Sequence, residues 1–213
     1  MPINAFLFDL DGTLVDSIPD LTKAVNLLRK ELGLADISGD QVRTYVGDGV
    51  GLLLQRSLPS NLPSSNHRRR FMDIYTEHLT DETIVYPGIF EFLEMHRDKP
   101  MAVVTNKPQH LADMIVDRLG LAPYFSDVIG AERALQRKPH PDMVHHALKC
   151  LDCTPGQTVL LGDHHVDLRA AHAARIKACF CAWGLGHNDG LQADFEAMTT
   201  ADLPIIFPEG HCP

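Results

Sequence analysis

Ile3-Asn4-Ala5-Phe6-Leu7-Phe8-Asp9-Leu10-Asp11-Gly12-Thr13-Leu14-Val15-Asp16-Ser17 is the stretch from which the rest of the chain is read. Ile3 to Phe8 is short, apolar and bounded by charge, the pattern of a buried strand. From Asp16 to Leu34 the spacing becomes helical. Leu21, Ala24, Val25, Leu28 and Leu32 recur on one helical face, and Gly33 supplies a stop. Ile37 to Leu58 predicts one or two helices broken around Gly47-Asp48-Gly49. Pro59 to Ser65 reads as a loop and His67 to Leu79 as a further helix. Residues 16–82 are thus an all-helical block without a strand signal.

After Tyr86-Pro87-Gly88 the pattern alternates. Helices are expected at Ile89–Arg97, Gln109–Leu119, Pro141–Leu151, His165–Arg175 and Leu191–Met198. Strands are expected at Met101–Val104, Val128–Ile129, Thr158–Leu161, Ala178–Ala182 and Leu203–Phe207. Strands alternating with helices call for a parallel sheet covered on both faces. The fold class is therefore α/β, with a core of residues 1–15 and 83–213 interrupted after its first strand by a helical cap, residues 16–82.

In open α/β sheets, sites form beyond the carboxyl ends of the strands. The first strand runs into Asp9 and Asp11, the second into Thr105-Asn106-Lys107, and the fourth into Gly162-Asp163 with Asp167 just beyond. Lys138 follows the third strand across a loop. Two carboxylates as close as Asp9 and Asp11 repel unless a cation compensates them, and Gly12 permits the tight exit that keeps them together. With Asp163 added, an oxygen-only donor set favours Mg²⁺. A phosphate dianion would approach such a cluster only with that ion present, helped by Lys138 and the Thr105 hydroxyl.

Four segments resemble, in order, the motifs of the haloacid dehalogenase superfamily: Phe8-Asp9-Leu10-Asp11-Gly12-Thr13, Val103-Val104-Thr105-Asn106-Lys107-Pro108, Lys138-Pro139-His140-Pro141 and Leu161-Gly162-Asp163-His164-His165-Val166-Asp167. Val46-Gly47-Asp48-Gly49-Val50, Tyr86-Pro87-Gly88 and Trp183-Gly184 are similar to its phosphoglycolate phosphatase-like group. The resemblance implies a Rossmann-like core and a phosphatase acting on a small phosphorylated metabolite, 2-phosphoglycolate or a sugar phosphate. It implies that Asp9 attacks phosphorus, that Asp11 serves as acid and base, and that Thr105 and the Asn106 amide hold phosphoryl oxygens while Lys138 neutralises charge. Asp9, Asp11 (through its backbone carbonyl) and Asp163 would hold Mg²⁺, with Asp167 supporting a metal-bound water or orienting Lys138. A phosphomutase of the same superfamily and a non-hydrolytic phospho-acceptor switch are the alternatives.

Arg43, the Gly47-Asp48-Gly49 loop and Arg56 are the cap residues expected to meet the substrate. His164-His165 stands where many relatives carry a small or hydroxyl residue, so the pair either opens a helix or reaches the mouth of the site. Arg175 stands where relatives often place Gly. The net charge of -9 weighs against nucleic acid, and Arg68-Arg69-Arg70 reads as a solvated helix face. No apolar run approaches membrane-spanning length. The N-terminus carries no signal pattern, so the expectation is a cytoplasmic monomer or homodimer. Five cysteines, an odd count, read as reduced thiols; Cys179 and Cys181 should share one strand face.

Overall fold

The computed structural model describes residues 3–62, 64–131 and 136–209. Cys212 lies outside these; Cys153, Cys179 and Cys181 are free thiols. The central strand β1 (Ala5–Phe8) is wholly buried. It is flanked in parallel by β4 (Met101–Pro108) on one side and β6 (Thr158–Gly162) on the other, with Phe8 level with both Val103 and Leu161. β5 (Asp127–Ala131) extends the sheet beyond β4, while β7 (Lys177–Cys181) and β8 (Phe195–Ala197) extend it beyond β6. The order is β5-β4-β1-β6-β7-β8, and every pairing is parallel.

Because strand side chains alternate between faces, each strand feeds two cores. Phe6, Phe8, Val103, Val159, Leu161, Cys179 and Cys181 lie in one. Leu7, Ala102, Val104, Leu160, Ala178 and Phe180 lie in the other. The first face is covered by α5 (Ile89–Met95) and α6 (Gln109–Arg118), the second by α7 (Asp142–Cys150) and α8 (His165–Ala174). The two cysteines share a face, as their spacing requires.

Four helices interrupt the sheet after β1: α1 (Ile18–Glu31), α2 (Gly39–Arg43), α3 (Val50–Ser57) and α4 (Ser65–Glu77). Leu21, Leu28, Leu53 and Phe71 join them to the first core. The segment Arg68–Arg70 is exposed, with Arg70 paired to Glu31 at 2.5 Å. A two-stranded antiparallel ribbon, β2 (Val15–Asp16) with β3 (Ile84–Val85), ties together the two ends of this insertion. Asp20 reinforces it: the buried carboxylate accepts the backbone N–H of Glu82 and Thr83 and the Thr83 hydroxyl at 2.7–3.1 Å. Two-residue strands are too short to show alternation, so this ribbon gave no sequence signal.

The C-terminal expectations were inverted. Leu191–Met198 contains strand β8, and Leu203–Phe207 contains the short helix α9 (Leu203–Ile206). Pro204 explains the second: it lacks the N–H a sheet ladder needs but is tolerated in a first helical turn. Asp194 explains the first. It bonds to Ala178 through both its backbone N–H and its carboxylate (3.0 Å each) and pairs with Lys177 at 2.6 Å, steering the chain alongside β7.

Arg175 ends α8 in the left-handed region, φ 59°. A side chain there costs about 1–2 kcal/mol, partly offset by the greater freedom glycine has when unfolded. Arg175→Gly is expected to stabilise the chain by about 0.5–1 kcal/mol. An unchanged or lower urea midpoint would contradict this.

Candidate active site

β1 sits between β4 and β6, so the chain departs in opposite directions from neighbouring strand ends and leaves a crevice there. One pocket at that crevice is lined by Asp9, Asp11, Thr105, Asn106, Lys107 and Asp163 from the sheet side. The helical insertion contributes Leu21, Gly47, Val50, Leu53 and Tyr75 to the same pocket.

Lys138 lies beneath this pocket with its side chain fully buried. Its ammonium meets Asp9 at 2.9 Å, Asp167 at 2.6 Å and the Val104 carbonyl at 2.6 Å. Burial alone would drive the lysine toward neutrality, but Asp167 and Asp9 outweigh it and hold its pKa above the ordinary value. The contacts to Asp9 from Lys138 and from the Leu10 N–H (2.7 Å) both fall on Oδ1. The Asp163 carboxylate is fixed by the Thr13 hydroxyl at 3.1 Å and by the backbone N–H of Leu185 and Gly186 at 2.7 and 2.9 Å. Gly12, at φ 85°, is required on two counts: the backbone angle, and the 2.3 Å that would separate a Cβ from Asp163 Oδ2.

One carboxylate oxygen from each of Asp9, Asp163 and Asp167 lies within 4.8 Å of the others. Burial pushes Asp9 up to about 6 despite Lys138. Burial, followed by repulsion from Asp9 and Asp167, pushes Asp163 up to about 7. The protein's own cations therefore under-compensate this acid floor, and its all-oxygen donor set suits a hard divalent cation. Asp167 contributes differently from the other two. Its Oδ1 faces Lys138 and its Oδ2 accepts the His164 N–H at 3.1 Å, which fits an orienting role.

Asp11 is held apart from this cluster. Its carboxylate accepts the Ser17 hydroxyl at 2.5 Å and the Lys107 ammonium at 2.9 and 3.1 Å. Lys107 also reaches the hydroxyl of Tyr75, on α4, at 2.7 Å. Burial opposes the Lys107 charge, but Asp11 and Tyr75 hold its pKa above the ordinary value. Burial likewise pushes Tyr75 up to about 12, so it stays protonated. The motif around Lys107 carries no sequence signal of this role, and nothing in the sequence pairs the lysine with Tyr75.

Thr105 is buried on β4, which runs further than expected, to Pro108, with an irregular register after Val104. The Asn106 side chain donates to the Lys138 carbonyl at 2.9 Å and to the Gly47 carbonyl at 3.4 Å, joining sheet, loop and insertion. Of the other insertion residues, Arg43 donates to the Gly184 carbonyl at 3.3 Å, bridging to the sheet side. Arg56 does not line the pocket: it pairs with Asp48 at 2.8 Å. Arg137, which no sequence signal marks, comes so close to Gly49 that a Cβ there would meet its guanidinium at 2.9 Å. His164 lines the pocket; burial pushes its ring down to about 4, leaving it neutral.

With this geometry in place, the comparison with known proteins is direct. The pattern of the haloacid dehalogenase-like hydrolase family matches residues 6–181. The chain belongs to that family. It is similar over 217 residues, at 34% identity and with 98% of each chain covered, to the phosphoglycolate phosphatase of Chromobacterium violaceum. The phosphoglycolate phosphatase of Neisseria meningitidis is also 34% identical, over 90% of this chain and 86% of its own. Among solved structures, a predicted phosphoglycolate phosphatase from Haemophilus somnus superposes with a TM-score of 0.88 at 29% identity, covering 96% of this chain and 97% of its own. A haloacid dehalogenase-like hydrolase from Streptococcus pneumoniae gives 0.81 at 25% identity, covering 96% and 98%. This haloacid dehalogenase-like hydrolase thus shares its architecture with relatives along nearly its whole length.

The raised carboxyl values of Asp9 and Asp163 fix a sign. Each binds its proton more tightly folded than at the ordinary value of 3.8, so its contribution to stability is present below that value and is lost as pH rises through about 6 to 7. A divalent cation binds only the ionised forms. The rise in Tm produced by Mg²⁺ over a chelator should therefore grow from about pH 5 to about pH 8. Thermal melts with equal Mg²⁺ shifts across that range would contradict the assignment.

Proposed function

We propose that this chain is a Mg²⁺-dependent phosphatase that hydrolyses a small phosphate monoester of the 2-phosphoglycolate or sugar-phosphate kind through an aspartyl-phosphate on Asp9. The observation that carries the reading is the convergence of Asp9, Thr105 and Asp163 from three adjacent strand ends on one pocket, with charged Lys138 beneath. The names of the relatives, phosphoglycolate phosphatases, support the substrate class.

Asp9, Asp163 and the Asp11 backbone carbonyl are the groups that would hold the ion, with Asp167 behind them. When bound, Mg²⁺ supplies the positive charge that lets a phosphate dianion approach the acid floor and polarises a phosphoryl oxygen. The chain's own residues do the remainder. Lys138 fixes Asp9 through Oδ1, so Oδ2 is the oxygen that attacks phosphorus. The P–O bond to the substrate breaks as the Asp9–P bond forms, and Asp11 gives a proton to the departing alkoxide. Asp11 then takes a proton from the water that attacks the aspartyl-phosphate, releasing inorganic phosphate and restoring Asp9. The Thr105 hydroxyl and Asn106 amide bind phosphoryl oxygens, and Lys138 offsets their charge. Lys107, Ser17 and Tyr75 act as positioning residues for Asp11. Leu21, Val50 and Leu53 form an apolar lid that excludes bulk water and leaves room for a short leaving group.

Asp9→Asn should retain the fold by circular dichroism and lose turnover by roughly 10³-fold or more, with no acid-stable phosphoenzyme trapped from labelled substrate. Wild-type turnover in this variant would remove Asp9 as nucleophile. Asp11→Asn should slow turnover by roughly 10²–10⁴-fold. The loss should be smaller for substrates whose alcohol is a good leaving group, since these need less acid. An equal loss for all substrates would argue against Asp11 as the acid. A panel of phosphorylated metabolites scored by phosphate release tests the substrate class.

A further inference from the structure

Three histidines gather beside the pocket, and one of them, His164, lines it. His164 precedes α8, His165 opens it, and His187 lies in the loop after β7. One ring nitrogen of each lies within 4.8 Å of the other two. The rings lie close together: His165 and His187 are stacked with centroids 5.4 Å apart, and His164 is tilted against them at 4.2 Å from His165 and 5.3 Å from His187.

The backbone holds this arrangement in place. The His165 N–H donates to the His187 carbonyl at 2.8 Å, and the Gly186 N–H is anchored on Asp163 at 2.9 Å. The His164 ring is confined between two glycines: a Cβ at Gly186 would come within 2.4 Å of it, and one at Gly47 within 2.8 Å. His164 is only 6% exposed. Nδ1 of both His164 and His165 is buried with no hydrogen-bond partner among the described residues. Buried polar nitrogens are costly when unpaired, so native proteins nearly always give them a partner.

We propose that His164, His165 and His187 form a binding site for a divalent transition ion of the Zn²⁺ class, reached from the pocket through His164 and separate from the acid floor. Imidazole nitrogens favour Zn²⁺, Co²⁺ or Ni²⁺, whereas Mg²⁺ keeps to oxygen donors, so the two sites sort their ions by ligand chemistry. Three protein ligands leave one position of a tetrahedral ion for water or an anionic group of the pocket's occupant. The site stands independently of the phosphatase reading. A second gathering, Asp127, His146 and Cys150 at β5 and α7, is its competitor for such an ion.

The test uses the full chain, stripped by chelator and held in excess Mg²⁺ so that the acid floor is filled. Calorimetric titration with Zn²⁺ should show one equivalent that His187→Ala and His165→Ala each weaken by at least roughly tenfold, while His146→Ala leaves it intact. Co²⁺ in its place should give the intense visible absorption of a low-coordinate site, lost in His187→Ala. His187 is exposed, and circular dichroism of the variant separates ligand loss from misfolding; His187→Gln serves if the alanine variant does not fold. Failure to retain Zn²⁺ against Mg²⁺, unchanged affinity in a folded His187 variant, or loss of the ion in His146→Ala alone would each overturn the proposal. None of these readouts depends on phosphate hydrolysis, so the phosphatase reading stands or falls apart from them.

Discussion

One buried ammonium, Lys138, makes the rest of the site possible. Asp9, Asp163 and Asp167 crowd within 4.8 Å at a point where the sheet excludes water. Without Lys138 between Asp9 and Asp167 two buried carboxylates would face each other unpaired, a condition that typically costs about 3–5 kcal/mol when one partner of a buried pair is removed. Even so, Asp9 and Asp163 remain proton-hungry, at about 6 and about 7. The fold supplies one positive charge and leaves the balance to a ligand, the condition in which a cation and then a phosphate gain by entering.

The remaining acid, Asp11, is handled by a different set of contacts. It faces Lys107 and Ser17 rather than Lys138, and the Tyr75 hydroxyl completes the group from the helical insertion. Two carboxylates two residues apart thus receive separate cations, and separate environments allow separate chemical roles. This division also links insertion and sheet: Tyr75 from α4 and the Gly47 carbonyl reach Lys107 and Asn106, and Arg43 reaches Gly184.

Much of the fold was legible because its signals are local. A fully buried β1 has to be apolar throughout, and the acids directly after β1 and β6 mark where the strands stop. The order of helices and strands, and the placing of Asp9, Thr105, Lys138 and Asp163 together, follow from that. What stayed hidden depends on partners distant in sequence. Nothing near Lys107 announces Tyr75, and nothing near Arg56 announces that Asp48 will hold it away from the pocket. The tail was misread because apolar runs such as Leu203–Phe207 fit either element, although Pro204 already argued against a strand. Asp20 was invisible as a clamp because its partners, the backbone N–H groups of Glu82 and Thr83 and the Thr83 hydroxyl, lie across the insertion.

That clamp has an architectural corollary. The chain leaves the sheet at β2 and returns at β3, hydrogen-bonded side by side and locked by Asp20. A segment whose two ends meet in this way is a cassette: it can be lengthened, shortened or exchanged without shifting the strand ends that carry the acids. The insertion and the strand ends that carry the acids are thereby free to vary separately. The separation is incomplete where the insertion touches the sheet: an exchanged cassette must bring its own hydroxyl to meet Lys107 where Tyr75 now stands, and its own partners for Asn106 and the Gly184 carbonyl.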